Sequence, residues 1–185
     1  MQKSTDPGPA ERIFNLRRLP TLRFLNGSGK TLQRQIEAFP WLPVFAAAKI
    51  LVVGFSEDNR AVAACGIRSL LNVLTLYIRR QYRGQGLGKI ILGQALGSAR
   101  KRGLSFILLG VYSNNPSAYR LYSKAGFKQV VQIKRPEMTF MMLPLSGKGE
   151  LAYKILKTIC SVLPKSLLSG FAQWFEAKTV GISEG

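Results

Sequence analysis

The sequence predicts an α/β protein in which helices flank a mixed β-sheet. Short apolar runs of strand length alternate with longer segments in which apolar residues recur at helical spacing. Glycine and proline stand between most of these segments, where the chain must turn. In addition, residues 106–111 form a nearly continuous apolar run, which is typical of a central strand buried on both faces.

The first part of the chain predicts three strands and one helix. Its N-terminus is polar and holds two prolines, so we expect disorder there. In chain order, the predictions are a disordered segment over residues 1–10, a strand within residues 13–25 that Pro20 interrupts, a helix over 31–39, and strands over 49–55 and 61–68 joined by a turn at 57–60.

The second part predicts four more strands and two helices, with proline or glycine marking the helix ends. In chain order, they are a strand over 70–78, a helix over 87–102 that Gly103 ends, a strand over 106–111, a helix over 116–125 that begins at Pro116, and strands over 130–134 and 138–143.

The length of 185 residues suits one domain with an appended segment, which we place at residues 11–145 and 146–185. The appended segment predicts two amphipathic helices in an α-hairpin, separated by Pro164. Two interpretations remain open: the helices pack on the sheet or on a second copy of the chain, or residues 147–178 bind a membrane surface. The apolar positions are Leu151, Ile155, Ile159 and Val162 in the first helix, and Leu167, Leu168, Phe171, Trp174 and Phe175 in the second.

The chain is strongly basic. Lysine and arginine number 27 against 9 acidic residues, which gives a net charge of +18. Such an excess favours polyanionic partners, namely nucleic acid, an anionic membrane or a phosphorylated ligand, although it also suits a role in solubility alone.

Side chains for nucleophilic and metal chemistry are scarce. The chain has no histidine, and Cys65 and Cys160 are far apart in sequence. These counts exclude histidine bases and ligands, and they argue against a disulfide framework and a cysteine zinc cluster. We therefore predict no metal cofactor.

The sequence shows no signal-peptide pattern and no apolar run of about 18 residues that would predict a membrane span. We expect a cytoplasmic protein, which is membrane-peripheral if the C-terminal helices bind lipid.

Residues 26–31 resemble the end of a nucleotide-binding P-loop. The full pattern needs a glycine five positions before Gly29, and that position is Phe24. We interpret the segment as a flexible turn before a helix and expect no hydrolysis of ATP or GTP.

A glycine-rich turn, RGQGLG over residues 83–88, separates a predicted strand from a predicted helix. Glycines allow main-chain N–H groups to approach a phosphate, and a helix start adds unpaired N–H groups and the positive end of its dipole. The dinucleotide-binding pattern would need a third glycine at position 89, which is lysine. The turn therefore predicts a site for some other phosphate-bearing ligand.

About thirty residues later the chain reads NPSAYRLYSKAGF, over residues 115–127. This segment and YRGQGLGKIIL resemble the two motifs of the GNAT family of acyl-CoA-dependent N-acyltransferases. The resemblance runs from about Leu71 to Phe127, and the looser strand order extends it to about residues 44–145. It implies the GNAT fold, a mixed and mostly antiparallel central sheet flanked by helices, with acetyl-CoA or another acyl-CoA as co-substrate.

The resemblance also implies roles for individual residues. Tyr122 would protonate the leaving thiolate, and the main-chain N–H of Ile78 would polarise the thioester carbonyl, as in an oxyanion hole. Asn115 would bind the pantetheine arm, with Ala118 beside it in the same site. The pantetheine would also pair with Leu76, Tyr77 and Ile78, and the pyrophosphate would lie on the backbone of Arg83, Gly84, Gln85, Gly86, Leu87, Gly88 and Lys89.

One departure from the family concerns the general base. No Asp or Glu occurs between Asp58 and Glu137, where family members often place a carboxylate that deprotonates the amine. Glu37, a bound water or bulk solvent remain as alternatives. A different function, a non-catalytic acyl-CoA sensor or scaffold, also remains open.

The expected reaction is transfer of an acetyl or other acyl group to a primary amine by direct attack, because the chain has no Cys-His pair for a covalent intermediate. The acceptor stays open between a peptide N-terminus and aminoacyl-tRNA. A set of arginines would either surround an anionic acceptor, hold the 3′-phosphate of coenzyme A or face solvent: Arg17, Arg18, Arg68, Arg79 and Arg80.

Overall fold

A computed structural model of the protein describes residues 10–14, 22–27, 32, 48–56 and 60–179. Several predictions lie outside these residues: disorder over residues 1–9, the turn at 57–59, the segment 28–31, Arg17, Arg18 and Glu37. Of the helix predicted over 31–39, only Leu32 is described, and it is helical and buried.

The chain divides into two compact units. The first comprises Met1–Arg68 and Leu76–Ala95, and the second comprises Ser69–Thr75 and Leu96–Gly185. Each unit has its own apolar cluster.

The larger sheet has five strands in sequential order: β1 (Ala10–Phe14), β2 (Leu22–Gly27), β3 (Ala48–Phe55), β4 (Ala61–Arg68) and β5 (Leu74–Ile78). The first four strands pair antiparallel. β3 and β4 are buried along almost their whole length, because all their residues except Lys49 and Arg68 are apolar or small. Leu51, Val53 and Phe55 form the centre of the apolar cluster in this unit.

The prediction of one strand within residues 13–25 is wrong, since β1 and β2 are separate strands that pair with each other from Ala10–Asn26 to Phe14–Leu22. Antiparallel pairing requires the chain to reverse between them, which a single strand cannot do. Ala10 begins β1 and therefore does not belong to the segment predicted to be disordered.

The strand predicted over residues 70–78 begins later than expected. Residues Leu70–Asn72 form a 3-10 turn, in which Leu71 and Asn72 have φ angles of 55° and 51°. These left-handed angles interrupt an extended strand, and β5 starts only at Leu74. Asn72 is a weak signal for this turn, because asparagine tolerates a positive φ, whereas nothing in the sequence indicates the positive φ of Leu71.

The smaller sheet consists of β6 (Phe106–Tyr112), β7 (Lys128–Lys134) and β8 (Glu137–Pro144), with β8 between the other two and antiparallel to both. A single parallel bridge joins Val73 to Leu108. The prediction that residues 106–111 are buried on both faces is wrong, because only alternate residues of β6 are fully buried. The apolar residues between them are partly exposed.

The helices lie close to the predicted positions and are α1 (Leu87–Lys101), α2 (Pro116–Lys124), α3 (Gly147–Val162) and α4 (Lys165–Thr179). α1 ends where Gly103 adopts a φ of 67°, and the N–H of Leu104 donates to the carbonyl of Ala99. The Ser146 hydroxyl accepts from the Gly149 N–H and caps α3. Within the described residues, no helix is long and apolar enough to cross a membrane.

Both C-terminal helices pack on the smaller sheet, which was one of the alternatives that the sequence left open. α3 contacts β7 and β8, and α4 contacts β7. Phe175 of α4 makes an edge-to-face contact with Phe140 at a centroid distance of 4.9 Å. A Cβ atom at Gly110 would lie 3.0 Å from the Phe175 ring, so this glycine makes room for the helix.

We expect Gly149→Ala to lower the free energy of unfolding, because the added methyl group would overlap the Ser105 carbonyl oxygen, which is backbone. Such overpacking costs about 1–3 kcal/mol or more. Gly170→Ala is the matched control, since this glycine lies inside α4 with nothing within 4 Å of a Cβ. It should stabilise by about 0.5–1 kcal/mol. Thermal melts of both variants test the comparison, and equal melting temperatures would contradict it.

Candidate functional site

The main-chain groups of β5 alternate between its two edges. The N–H of Arg79, directly after the strand, donates to the Val62 carbonyl of β4 at 2.9 Å. Because neighbouring residues of an antiparallel strand point their N–H and C=O groups to opposite edges, the N–H of Ile78 points away from β4. β5 is also the last strand in the order of its sheet. Leu76 and Ile78 therefore present main-chain groups at a sheet edge.

Arg83 is anchored to this strand by its side chain. Its Nε donates to the Ile78 carbonyl at 2.9 Å, and its guanidinium carbon lies 6.0 Å from the centroid of the Tyr77 ring. Both contacts hold the start of the glycine-rich turn against the end of β5. The role predicted for Arg83 uses its backbone, and these side-chain contacts are compatible with that role.

Gly84 and Gly86 both need to be glycine for conformational reasons. Their φ angles are 76° and 84°, which side-chain-bearing residues rarely adopt. A Cβ at either position would have nothing within 4 Å, so space does not impose the choice. The Gln85 side chain donates to the Gln81 carbonyl at 3.0 Å and fixes the turn between the two glycines.

The turn presents unpaired backbone donors at the start of α1. The N–H groups of Lys89 and Ile90 both donate to the Gly86 carbonyl. In the described part of the chain, the N–H groups of residues 84–88 donate to no backbone acceptor. Residues 83–86 are exposed, as are the side chains of Arg80 and Lys89. Main-chain donors, a helix start and basic side chains are features that favour the binding of an anion.

Asn115 caps α2 in the second unit. Its Oδ1 accepts from the N–H of Ala118 at 3.1 Å, and Pro116 follows at the first helical position. Two residues of the predicted site thus bond to each other. Oδ1 is engaged, while Nδ2 has no acceptor within the residues that the structure describes. The sequence signal for this cap was present, because Asn-Pro is a typical helix start.

Tyr122 is buried near the end of α2, with 7% of its surface exposed. Its ring meets Phe127 edge-to-face at a centroid distance of 5.6 Å. Tyr119, one turn earlier, is partly exposed, and its hydroxyl lies 3.4 Å from the Gln129 side chain on β7. The two tyrosines therefore have different surroundings, which spacing alone could not predict.

Arg79 contributes a structural contact that the sequence did not indicate. Its Nε donates to the Ala61 carbonyl at 2.8 Å, so the side chain links the end of β5 to the start of β4. The sequence placed Arg79 among arginines for an anionic acceptor, a cofactor phosphate or solvent. No local pattern distinguishes an arginine that binds a backbone carbonyl 18 residues away.

Neither cysteine is activated for nucleophilic attack. Burial raises the pKa of the Cys65 thiol well above its usual range, and partial burial also raises the pKa of Cys160. In the described ranges, no group of three or more Cys, Asp or Glu side chains is placed to bind a metal ion.

The family model described as "Acetyltransferase (GNAT) family" matches residues 13–127, which include both the glycine-rich turn and the 115–127 segment. The chain belongs to this family. It is accordingly an acyl-CoA-dependent N-acetyltransferase with the GNAT fold.

Similar proteins with known names are also N-acetyltransferases. The [ribosomal protein bS18]-alanine N-acetyltransferase of Escherichia coli K12 is 25% identical over 130 residues, covering 62% of this chain and 88% of that protein. The protein of the same name from Haemophilus influenzae is 28% identical over 106 residues, 54% of this chain and 72% of its own length.

Solved structures agree on the fold. The GNAT domain of PAT from S. lividans aligns with a TM-score of 0.57 and 12% identity, covering 72% of this chain and 96% of that domain. A GNAT-family acetyltransferase from Streptococcus pneumoniae aligns with a TM-score of 0.53 and 18% identity, covering 68% and 99%. At these identities the likeness shows the fold alone.

Gly86→Ala should weaken the binding of acetyl-CoA, because alanine disfavours the left-handed conformation at this position by about 1–2 kcal/mol. We expect the Kd to rise by about 5- to 30-fold, measured by isothermal titration calorimetry. Gly93→Ala in α1 is the control, since a Cβ there meets nothing within 4 Å and its φ is not left-handed. Equal Kd values for both variants would contradict the role of the turn.

Proposed function

We propose that the protein transfers the acetyl group of acetyl-CoA directly to a primary amine, with no covalent enzyme intermediate. The observation that carries this proposal is the glycine-rich turn, whose unpaired N–H groups follow the edge strand β5. Direct attack is supported by the absence of histidine from the sequence and by the raised pKa values of both thiols.

The donor binds mainly to main-chain groups in this proposal. The pyrophosphate accepts from the N–H groups of residues 84–88, near the positive end of the α1 dipole. The pantetheine pairs with the open edge of β5 over residues 76–78, as an added strand would. The N–H of Ile78 donates to the thioester carbonyl and stabilises the negative charge that develops there.

Asn115, which caps α2, and Tyr122 within α2 act on the rest of the donor in this proposal. The Nδ2 of Asn115 donates to the pantetheine arm, which is compatible with its cap because only Oδ1 is engaged. Tyr122 donates a proton to the leaving thiolate. A protonated tyrosine hydroxyl has a proton to give and can serve as a general acid.

The acceptor amine loses its proton to solvent in this proposal. The sequence has no carboxylate between Asp58 and Glu137, a range that includes β5, α1, β6 and α2. Without a protein base, the fraction of neutral amine depends on the acceptor itself. An α-amino group has a pKa of about 7.7–8.0 and a lysine side chain about 10.4, so an α-amine is the better acceptor near neutral pH.

We propose the α-amine of a protein N-terminus as the acceptor. The E. coli relative is named for acetylation of an alanine of ribosomal protein bS18, which supports this class. A cytoplasmic location follows from the same proposal. Aminoacyl-tRNA is a second candidate, because a net charge of +18 favours a nucleic-acid partner.

Tyr122→Phe should lower kcat by about 100-fold with little change in the Kd for acetyl-CoA, since general acid catalysis contributes about 10²- to 10⁴-fold. Tyr119→Phe is the matched control on the same helix, and it should keep full kcat. Thiol release from acetyl-CoA, followed with a thiol reagent, measures both variants. A Tyr122→Phe enzyme with unchanged kcat would exclude the acid role.

Acceptor choice can be tested with three peptides of one sequence: a free N-terminal alanine, the same peptide with its α-amine blocked, and the blocked peptide with one lysine. At pH 7.5 only the first should be acetylated rapidly, and the lysine peptide should gain as pH rises towards 10. Acetylation of alanyl-tRNA that falls steeply with salt would favour the second candidate instead. If the protein binds acetyl-CoA but acetylates neither the peptides nor the tRNA, the result would indicate a non-catalytic acyl-CoA sensor.

A further inference from the structure

The outer face of α3 is an exposed apolar stripe. Leu151, Ile155, Ile159 and Val162 follow one another at spacings of four, four and three residues, which places them on one side of a helix. Their side chains are 61%, 51%, 45% and 76% exposed. On an ordinary protein surface, exposed large apolar residues are scattered singly. Here four of them follow one another on one side of the helix.

This stripe is not the side of α3 that packs on the sheet. On the inner side, the Tyr153 hydroxyl donates to the Gln129 carbonyl of β7 at 3.0 Å, and Glu150 pairs with Lys128 at 2.6 Å. Gly149 is buried against the Ser105 carbonyl. The helix is thus fixed to the smaller sheet, and its apolar stripe remains outside that packing.

α4 shows the same division between a packed side and an exposed apolar side. Ala172 and Phe175 are buried in the apolar cluster of the smaller sheet. Leu167, Phe171 and Trp174 are 60%, 42% and 42% exposed. The rings of Phe171 and Trp174 stack at a centroid distance of 5.8 Å, which makes a continuous aromatic surface.

Basic side chains accompany both stripes. Lys148, Lys154, Lys157 and Lys165 are exposed on the two helices. Over the two helices, Gly147–Val162 and Lys165–Thr179, the sequence has two acidic residues, Glu150 and Glu176, and Glu150 is paired with Lys128. We use the name C-terminal surface for the two apolar stripes together with these four lysines, of which Lys157 lies 5.8 Å from the centroid of the Tyr153 ring. Each helix thus carries an exposed apolar side and basic side chains.

We infer that the C-terminal surface binds peripherally to a bilayer that contains anionic phospholipid. Interfacial helices insert an apolar side with aromatic residues below the headgroups, while lysines contact the anionic headgroups. Trp174 suits the interface because its ring is apolar and its N–H is polar. The inference is independent of the proposed acceptor.

The charges favour a bilayer over a second copy of the chain. A dimer formed through this surface would bring together two lysine-bearing surfaces, and Glu150 of α3 is already paired with Lys128. Each copy also carries a net charge of +18, which opposes self-association. An anionic lipid surface provides the opposite charge.

Cosedimentation of the full-length protein with vesicles tests the inference. We compare vesicles of phosphatidylcholine alone with vesicles that contain phosphatidylglycerol as well, at low and high salt. Binding should be at least tenfold stronger to the anionic vesicles and should weaken at high salt. The chain has two tryptophans, Trp41 and Trp174, so emission from Trp41→Phe protein reports on Trp174 alone, and it should shift to shorter wavelength on binding.

The double variant Ile155→Gln/Leu167→Gln should reduce binding at least tenfold, and Lys154→Gln/Lys157→Gln should remove most of the preference for anionic vesicles. Leu71→Gln is the matched control, because Leu71 is 41% exposed outside the two helices. It should bind as the unmodified chain does. Thermal melts establish that each variant is folded.

Two results would overturn the inference. One is equal binding of the unmodified chain and the Ile155→Gln/Leu167→Gln variant to anionic vesicles. The other is a stable dimer in light scattering that this variant converts to a monomer, without lipid binding by either form. Acetyl transfer is measured on the same samples. Because the substituted residues lie outside the proposed donor site, loss of lipid binding with normal acetyl transfer concerns this inference alone. Loss of acetyl transfer by the unmodified chain would instead concern the proposed function.

Discussion

The hydrogen bond from the Arg79 N–H to the Val62 carbonyl sets the orientation of the main-chain groups at the end of β5. It directs Ile78 to the opposite edge, and the Ile78 carbonyl in turn receives the Arg83 side chain. That contact holds the first residue of the glycine-rich turn, from which α1 begins. A slip of one residue in this register would reverse every one of these groups.

Sequence alone predicts what depends on local geometry. Gly84 and Gly86 have the left-handed angles that a tight turn before a helix requires, and Asn-Pro at 115–116 begins a helix. The sequence does not predict structural features that depend on contacts between residues far apart in the chain. Arg79 binds a carbonyl 18 residues away, and Leu71 adopts a left-handed angle that leucine seldom takes. The family resemblance is the source of the proposed site residues, and packing determines which of them are buried.

The chain concentrates its polar chemistry in the backbone. The edge of β5, the glycine-rich turn and the start of α1 supply main-chain N–H donors, which do not titrate. By contrast, the sequence has no histidine and only 9 acidic residues. Main-chain donors tolerate changes of side chain provided that the conformation is kept. This tolerance agrees with a family likeness that persists at 25% identity to the E. coli relative.

The packing of Phe175 over Gly110 affects how the chain folds during synthesis. β8 is synthesised before Phe175, so Phe140 and Ile133 at first lack the ring that covers them. At about 5–20 residues per second, the delay from residue 143 to residue 175 is about 2–6 seconds. The packing of the smaller sheet is therefore completed only once α4 has been synthesised.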